Sequence, residues 1–302
     1  MRFSPSLVLM ALCIYGPAAS QQKTPFFQRS DTLDMGRRTG VYVTEAVLGG
    51  GALIGLNQLW YADYPRSGFH FTNDNSQWMQ MDKAGHVFSS YYLGKMGMDA
   101  LAWAGESKKN QLLYGATLGF AFLTAVEVLD GFSEEWGFSM GDFAANALGT
   151  GMLVGQELLW DEQRIQLKFS YHATGYAEMF PEKLGTNTLE QLLKDYNGQT
   201  YWLSFNLRSF FKDSGIPPWL NVSLGYGANG LPENSFEPGT SPPQPIASYR
   251  QFFTSVDLDL TKIPTNSDFL RTLFNVFNFV KIPAPSLEYR TNGSFRFHWL
   301  YY

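Results

Sequence analysis

The feature that most constrains this chain is a change of hydrophobic period near Gln163. Upstream, apolar residues run in helix-length segments with few breakers. Downstream, Ile165, Leu167, Phe169 and Tyr171 alternate with Gln166, Lys168 and Ser170. A period near 3.6 places apolar residues on one stripe of a helix, and a period of two places them on one face of a strand. Helices first and strands second predict an α+β fold. A four-helix bundle is expected over 40–162. An antiparallel β-rich module of about six strands is expected over 163–302, as a one-sided sheet or a partial barrel.

The four helices are expected at 41–61, 77–103, 107–129 and 141–160, with Ser76 and Ser107 as N-caps of the second and third. The pairs Gly115/Gly119 and Gly151/Gly155 fit close helix packing of the kind favoured in bilayers, and equally a tight soluble bundle. Each apolar run is just long enough to span a membrane, yet polar residues interrupt each one. Further strands are expected in 201–207, 220–226 and 253–260, with a hairpin at Asn292-Gly293 joining 287–290 to 294–302. A short helix is expected at 269–279, and loops at Pro217-Pro218 and 232–245. The alternating aromatic end of the chain resembles the last strand of an outer-membrane barrel, although six strands are fewer than the eight of the smallest such barrels.

Residues 1–20 read as a secretory signal, with Arg2 in the charged region, an apolar core from Leu7 to Tyr15 and a small-residue cleavage site at Ala18-Ala19-Ser20. That core is too short to span a bilayer. Cys13 is the only cysteine and lies inside the signal, so the mature chain would carry no thiol, disulfide or cysteine-bound metal. Leu12 is not the small residue that a lipidated Cys13 would want before it. Residues 21–39 form a polar leader. A net charge of −5 without a basic cluster argues against nucleic acid as a partner. The expected location is the cell envelope, at the outer membrane or a periplasmic membrane face.

Inside the apolar helices lies a run of residues that are costly to bury unless they pair or bind something. Asp82 and His86 are four apart and share a helix face, as do Asp142 and Asn146, with Gly149 continuing the second face. Glu127 and Asp130 close the third helix. Antiparallel packing would gather Asp82, Lys83, His86, Glu127, Asp130, Asp142 and Asn146 into one cluster at one end of the bundle. Three uses are open. The cluster can be structural, with Lys83 pairing a carboxylate and with Asp82 and Asp142 capping helices. It can bind a divalent cation, since imidazole and oxygen ligands suit zinc or manganese. It can carry general acid–base chemistry, with His86 beside Asp82 or Glu127 as the catalytic candidates. His70 is expected near the same end. His172 and His298 are expected as surface or sheet residues, and Gln156 and Glu157 as facing water. No phosphate loop, nucleophile elbow or paired-histidine zinc helix is present.

In Asp82-Lys83-Ala84-Gly85-His86, Glu127-Val128-Leu129-Asp130-Gly131-Phe132 and Trp136-Gly137-Phe138-Ser139, with Asp142 and Asn146, the chain resembles the YfiM-like proteins of the bacterial envelope, many of them predicted periplasmic lipoproteins. The resemblance covers roughly 55–163, and 194–202 looks like the longer members. More distantly, Asp82, Lys83, His86, Glu127, Asp142, Asn146 and Gly149 follow the order seen in VanZ-like membrane proteins. Asp130 departs from that pattern, which tends to have Gln there, and no Arg lies between Asp130 and Asp142. The resemblance implies location and architecture rather than an activity. The leading expectation is a membrane-associated envelope protein whose cluster binds or organises a lipid or glycolipid head group. The alternatives are a hydrolase or transferase acting on a lipid-linked substrate, and a scaffold docking another envelope protein.

Overall fold

The computed structural model describes residues 24–61, 64–230 and 247–302; the expected signal segment with Cys13 and the loop expected at 232–245 lie outside them. The first helix, α1 (Met35–Leu56), starts inside the polar leader, where the Asp34 carboxylate accepts the Arg37 N–H. The second, α2 (Met81–Trp103), is the central element. Two helical turns, Lys108–Asn110 and Gln111–Gly115, lead into α3 (Leu118–Asp130). Ser107 caps the first of these turns, as expected, by accepting the Asn110 N–H. The fourth helix, α4 (Met140–Trp160), is capped by Ser139.

Glycine lets these helices approach closely. A Cβ on Gly119 would collide with the Ser90 carbonyl, one on Gly149 with the Val87 carbonyl and one on Gly94 with the Ala116 carbonyl, so α3 and α4 both lie backbone-close to α2. The core so formed contains Tyr91, Tyr92, Met98, Ala116 and Leu153, and takes in Leu167 from the β-module. Gly115 shares in the packing, but Gly151 and Gly155 face open space, which corrects the expectation for that pair. The four-helix bundle is corrected too. Three helices pack on one another, and α1 is peripheral, with Val41 its only buried residue and Val47, Leu48 and Ile54 exposed. By length and composition, Met35–Leu56 and Lys108–Asp130 are apolar enough to cross a bilayer. Ser76 does not cap α2 with its side chain; a short turn, Gln77–Gln80, intervenes.

Two short strands, β1 (Phe71–Thr72) and β2 (Phe138–Ser139), pair in parallel and tie the loop before α2 to the start of α4. The β-module is an antiparallel meander of six strands in chain order: β3 (Ile165–Tyr171), β4 (Gln199–Asn206), β5 (Leu220–Asn229), β6 (Tyr249–Leu258), β7 (Ala284–Arg290) and β8 (Phe295–Tyr301). The sheet curves without closing. Tyr301 of β8 reaches Thr200 of β4 at 3.1 Å between hydroxyls. The free edge of β3 is covered not by β8 but by the stretch after helix α5 (Asp268–Phe277): Phe169 N–H donates to the Phe279 carbonyl and Lys281 N–H to the Phe169 carbonyl.

The two faces of this sheet are inverted relative to an ordinary soluble one. The enclosed face carries Lys168, Ser204, Asn206, Asn221, Ser223, Asp257 and Glu288, all buried. Lys168 Nζ meets Asp257 Oδ2 at 3.0 Å, with both side chains 0 % exposed, and Ser204 donates to the same carboxylate at 2.6 Å. Trp202, Phe253 and Tyr301 form an aromatic wedge among them. The outer face is apolar. Its β3–β4 part packs on α2 through Phe88, Phe169 and Tyr201, while Leu224, Phe252, Val256, Leu287, Phe297 and Trp299 are exposed.

A histidine and carboxylate cluster at the head of the second helix

The segment entering α2 is held in an unusual shape. Trp78, Met79 and Gln80 have φ of 47°, 51° and 63°. Left-handed backbone costs a residue with a side chain about 1–2 kcal/mol. Four contacts hold it. The Met79 carbonyl accepts from Tyr226 of β5 and Arg250 of β6, Gln80 donates to the Asn75 carbonyl at 2.6 Å, and Trp78 packs on Tyr196 at 5.3 Å. The turn delivers Asp82, Lys83 and His86 from the first turns of α2 against the start of α4 and the end of α3.

Of the side chains expected to meet, Asp82, Lys83, Glu127, Asp142 and Asn146 gather around His86, and Asp130 does not. Lys83 Nζ lies 2.6 Å from Asp74, 2.9 Å from Asp142 and 3.3 Å from Asp82, in the last two cases at Oδ2. The Oδ1 atoms of Asp82 and Asp142 therefore turn toward His86, at 3.9 and 3.8 Å from Nε2. Glu127, 2 % exposed, accepts the Ser139 N–H with Oε2 and places Oε1 at 3.7 Å from the same nitrogen. Asn146 takes the other ring nitrogen, with Oδ1 at 2.9 Å from Nδ1. An amide oxygen only accepts, so Nδ1 carries the proton. Asp130 stands apart, receiving the Tyr61 hydroxyl at 2.6 Å.

Four carboxyl groups, those of Asp74, Asp82, Glu127 and Asp142, thus face one lysine and one histidine, with Asp130 nearby. Burial pushes Glu127 up to about 8, with the neighbouring Asp142 charge adding to it. Burial likewise lifts Asp130 and Asp142 to about 6 each. For His86, burial favours the neutral ring, but Asp82, Asp142 and Glu127 outweigh it and raise the imidazole above its ordinary value. For Lys83, the carboxylates Asp82, Asp74 and Asp142 likewise overcome burial. Such a set can store protons or hold a cation. Ligand atoms of Asp82, His86 and Asp142 lie within 4.8 Å of one another.

Several details differ from the sequence reading. Asp82 and Asp142 sit in first turns but cap nothing, since Ser139 caps α4 and accepts the Asp142 N–H at 3.1 Å. His70 lies at the same end, but its ring contacts Ser67 and Gly68 rather than the cluster. Gln156 and Glu157 are buried, not solvated: Gln156 is clamped to Gln163 and Ile165, and Glu157 to Lys108. His298 is half-buried, 2.7 Å from Glu288. Two contributors carried no helical signal: Asp74 comes from a run of turn-formers, and Tyr196 from the loop before β4, where its hydroxyl donates to Asp82 Oδ1 at 2.8 Å. Tyr61 ends the helical turn that follows α1. The sequence signal for Tyr196 is its place in 194–202, the stretch that looks like the longer YfiM-like members.

Residues 69–156, less than a third of the chain, match the model of a family described as Predicted periplasmic lipoprotein (DUF2279). The match holds all of the cluster except Tyr61 and Tyr196. The chain is accordingly an exported cell-envelope protein rather than a cytoplasmic one. No curated protein and no solved structure matches it.

Proposed function

We propose that this envelope protein is membrane-associated, that the outer face of its sheet lies against lipid, and that the His86 cluster works at the level of the head groups, binding an envelope lipid or glycolipid. The observation that carries this is one row of the outer face. Phe169, Tyr201, Tyr226, Phe252, Tyr289 and Phe295 are register partners across the six strands; Phe169 and Tyr201 are covered by α2, and Phe252, Tyr289 and Phe295 are exposed. Aromatic girdles mark the level where sheets leave hydrocarbon for the head-group layer. Beyond this row the outer face continues with Leu167, Leu203, Leu224, Thr254, Leu287 and Phe297.

Residues of the row also touch the segment that carries the cluster. Tyr226 donates to the Met79 carbonyl, three residues before Asp82, and Tyr201 lies against Gly85. The opposite end of the sheet bears exposed Phe210, Phe211 and Trp219 beside the start of β5 at Leu220. The span from Leu220 to Tyr226 is about 20 Å at roughly 3.3 Å per residue, somewhat short of the roughly 25 Å apolar band of a lipid-facing barrel. The resemblance to YfiM-like and VanZ-like envelope proteins, carried by the same cluster residues, supports this reading.

Flotation with phospholipid vesicles tests it. The full chain is expected to rise with vesicles, and the triple variant Phe252→Lys, Leu287→Glu, Trp299→Glu to stay in the aqueous layer at an unchanged melting temperature. Wild-type protein that stays below the vesicles, or a variant that floats equally well, would sink the lipid-facing reading. Affinity that is indifferent to the head group of the vesicle would remove the role given to the cluster.

A further inference from the structure

We propose that the cluster is a divalent metal centre in which His86 Nε2, Asp82 Oδ1, Glu127 Oε1 and Asp142 Oδ1 ligate one ion of the zinc or manganese class. This goes beyond the lipid reading and does not depend on it.

The geometry is that of ligands turned toward a common point. The three carboxylate oxygens lie 3.9, 3.7 and 3.8 Å from Nε2, beyond hydrogen-bond reach. Ligand atoms around a tetrahedral ion with bonds of about 2.1 Å stand about 3.4 Å apart. Each carboxylate oxygen therefore closes on Nε2 by a few tenths of an ångström; ligand atoms of Asp82, His86 and Asp142 start within 4.8 Å of one another, and Glu127 has further to move. Asp142 is 3 % exposed, and its Oδ1, the atom facing His86, has no hydrogen-bond partner. A buried carboxylate oxygen without a donor is costly, and a cation removes that cost.

The outer contacts are those that prepare ligands. The Nδ1–H of His86 is held by Asn146, which leaves Nε2, on the side of the carboxylates, as the nitrogen that would ligate the ion in exchange for its proton. The second oxygens of the carboxylates are held by Lys83, for Asp82 and Asp142, and by the Ser139 amide, for Glu127. A metal-bound histidine characteristically has its other nitrogen fixed by such a partner. The excess of carboxylates over cations supplies the charge balance, and the imidazole nitrogen favours zinc or manganese over calcium or magnesium. Asp82, with a side chain 27 % exposed, marks where solvent or a further oxygen ligand would reach the ion. A cation would also reverse the sign of the site. Without one the cluster repels a phosphate, and with one it attracts it; this last role rests on the lipid reading.

The test uses chelator-stripped full-length protein in detergent without phospholipid, so that its failure is read separately from failure in flotation. Titration calorimetry with Zn²⁺ and with Mn²⁺ is expected to show one equivalent bound by at least one of the two. His86→Gln and Asp142→Asn should each lower the affinity by more than the roughly 10–100-fold that loss of an outer partner costs. Lys109→Gln, a control outside the cluster, should bind as wild type does. No saturable binding of either ion, or binding undiminished in both cluster variants, overturns the proposal. Should those variants fail to fold, X-ray absorption of the metal-loaded wild type decides. One imidazole among oxygen ligands supports the site, and a spectrum without imidazole scattering refutes it.

Discussion

Asn146 of α4 holds His86 of α2 by its Nδ1, at 2.9 Å, across an interface that Gly149 keeps narrow. The contact sets both the ring's rotation and its proton, and so decides that Nε2 is the nitrogen facing Asp82, Glu127 and Asp142. Asn146 is a positioning residue, reaching any bound ion only through His86.

Its removal therefore has a graded consequence. Asn146→Ala is expected to weaken zinc binding roughly 10–100-fold without abolishing it. Asn146→Asp should restore most of the loss, because a carboxylate oxygen accepts the Nδ1–H as an amide oxygen does. Competition against a chromogenic chelator measures both. Equal binding by wild type and Asn146→Ala would mean that the ring is held by packing alone.

The glycines of the helical unit divide into two groups that behave oppositely. Gly119→Ala and Gly149→Ala each drive a methyl into a carbonyl of α2 and are expected to cost about 1–3 kcal/mol. Gly151→Ala meets nothing within 4 Å and should be neutral or stabilising by up to about 1 kcal/mol, the helix-propensity difference. Denaturation midpoints of the three variants check this. A loss at Gly151 as large as at Gly119 would mean that another surface covers α4.

Within the sheet, Lys168→Met leaves Asp257 without its 3.0 Å partner, while Lys281 remains 3.8 Å away on the other oxygen. Breaking a fully buried pair typically costs about 3–5 kcal/mol, because one charge is stranded. The expected loss lies toward the lower end, since Lys281 and Ser204 still face the carboxylate. A melting temperature unchanged by Lys168→Met would show that water reaches the enclosed face.

The change of period at Gln163 was legible and located the boundary between helices and strands: α4 ends at Trp160 and β3 begins at Ile165. The four-residue spacing of Asp82 with His86, and of Asp142 with Asn146, was likewise enough to bring those side chains together. Which face of the sheet is enclosed was not legible. Alternation says that one face is apolar, and a soluble protein would enclose that face, yet here Lys168, Asp257 and Glu288 are enclosed while Phe252, Leu287 and Trp299 are not. Charged residues such as Glu157 look solvent-facing by type, and only the tertiary placement of Lys108 and Gln163 reveals why it can be buried. Asp74 and Tyr196 reach the cluster from turns, where no periodicity points anywhere.

His172, just beyond β3, links the sheet to pH. Burial holds its imidazole below the ordinary value of 6.5, opposed by the charges of Asp195 and Glu288 and aided by His298. Its Nδ1 is buried without a hydrogen-bond partner, and its ring lies 5.9 Å from Tyr301. As pH falls below 6.5 the unfolded chain takes up this proton before the folded one does. Stability is then lost toward acid, and it is fully present above 6.5. Glu288, held below its ordinary carboxylate value by Arg290, Gln251 and His298 in spite of burial, also favours the folded state at higher pH, but its window begins lower, below 4.5. The raised carboxyls of the His86 cluster act in the opposite direction, so wild type alone does not isolate His172. The comparison with His172→Gln does, because the cluster is common to both chains. Denaturant midpoints at about pH 5 and about pH 7.5, either side of the ordinary histidine range, should separate further for wild type than for His172→Gln. Equal separations would mean that His172 takes up its proton alike in the folded and unfolded chains.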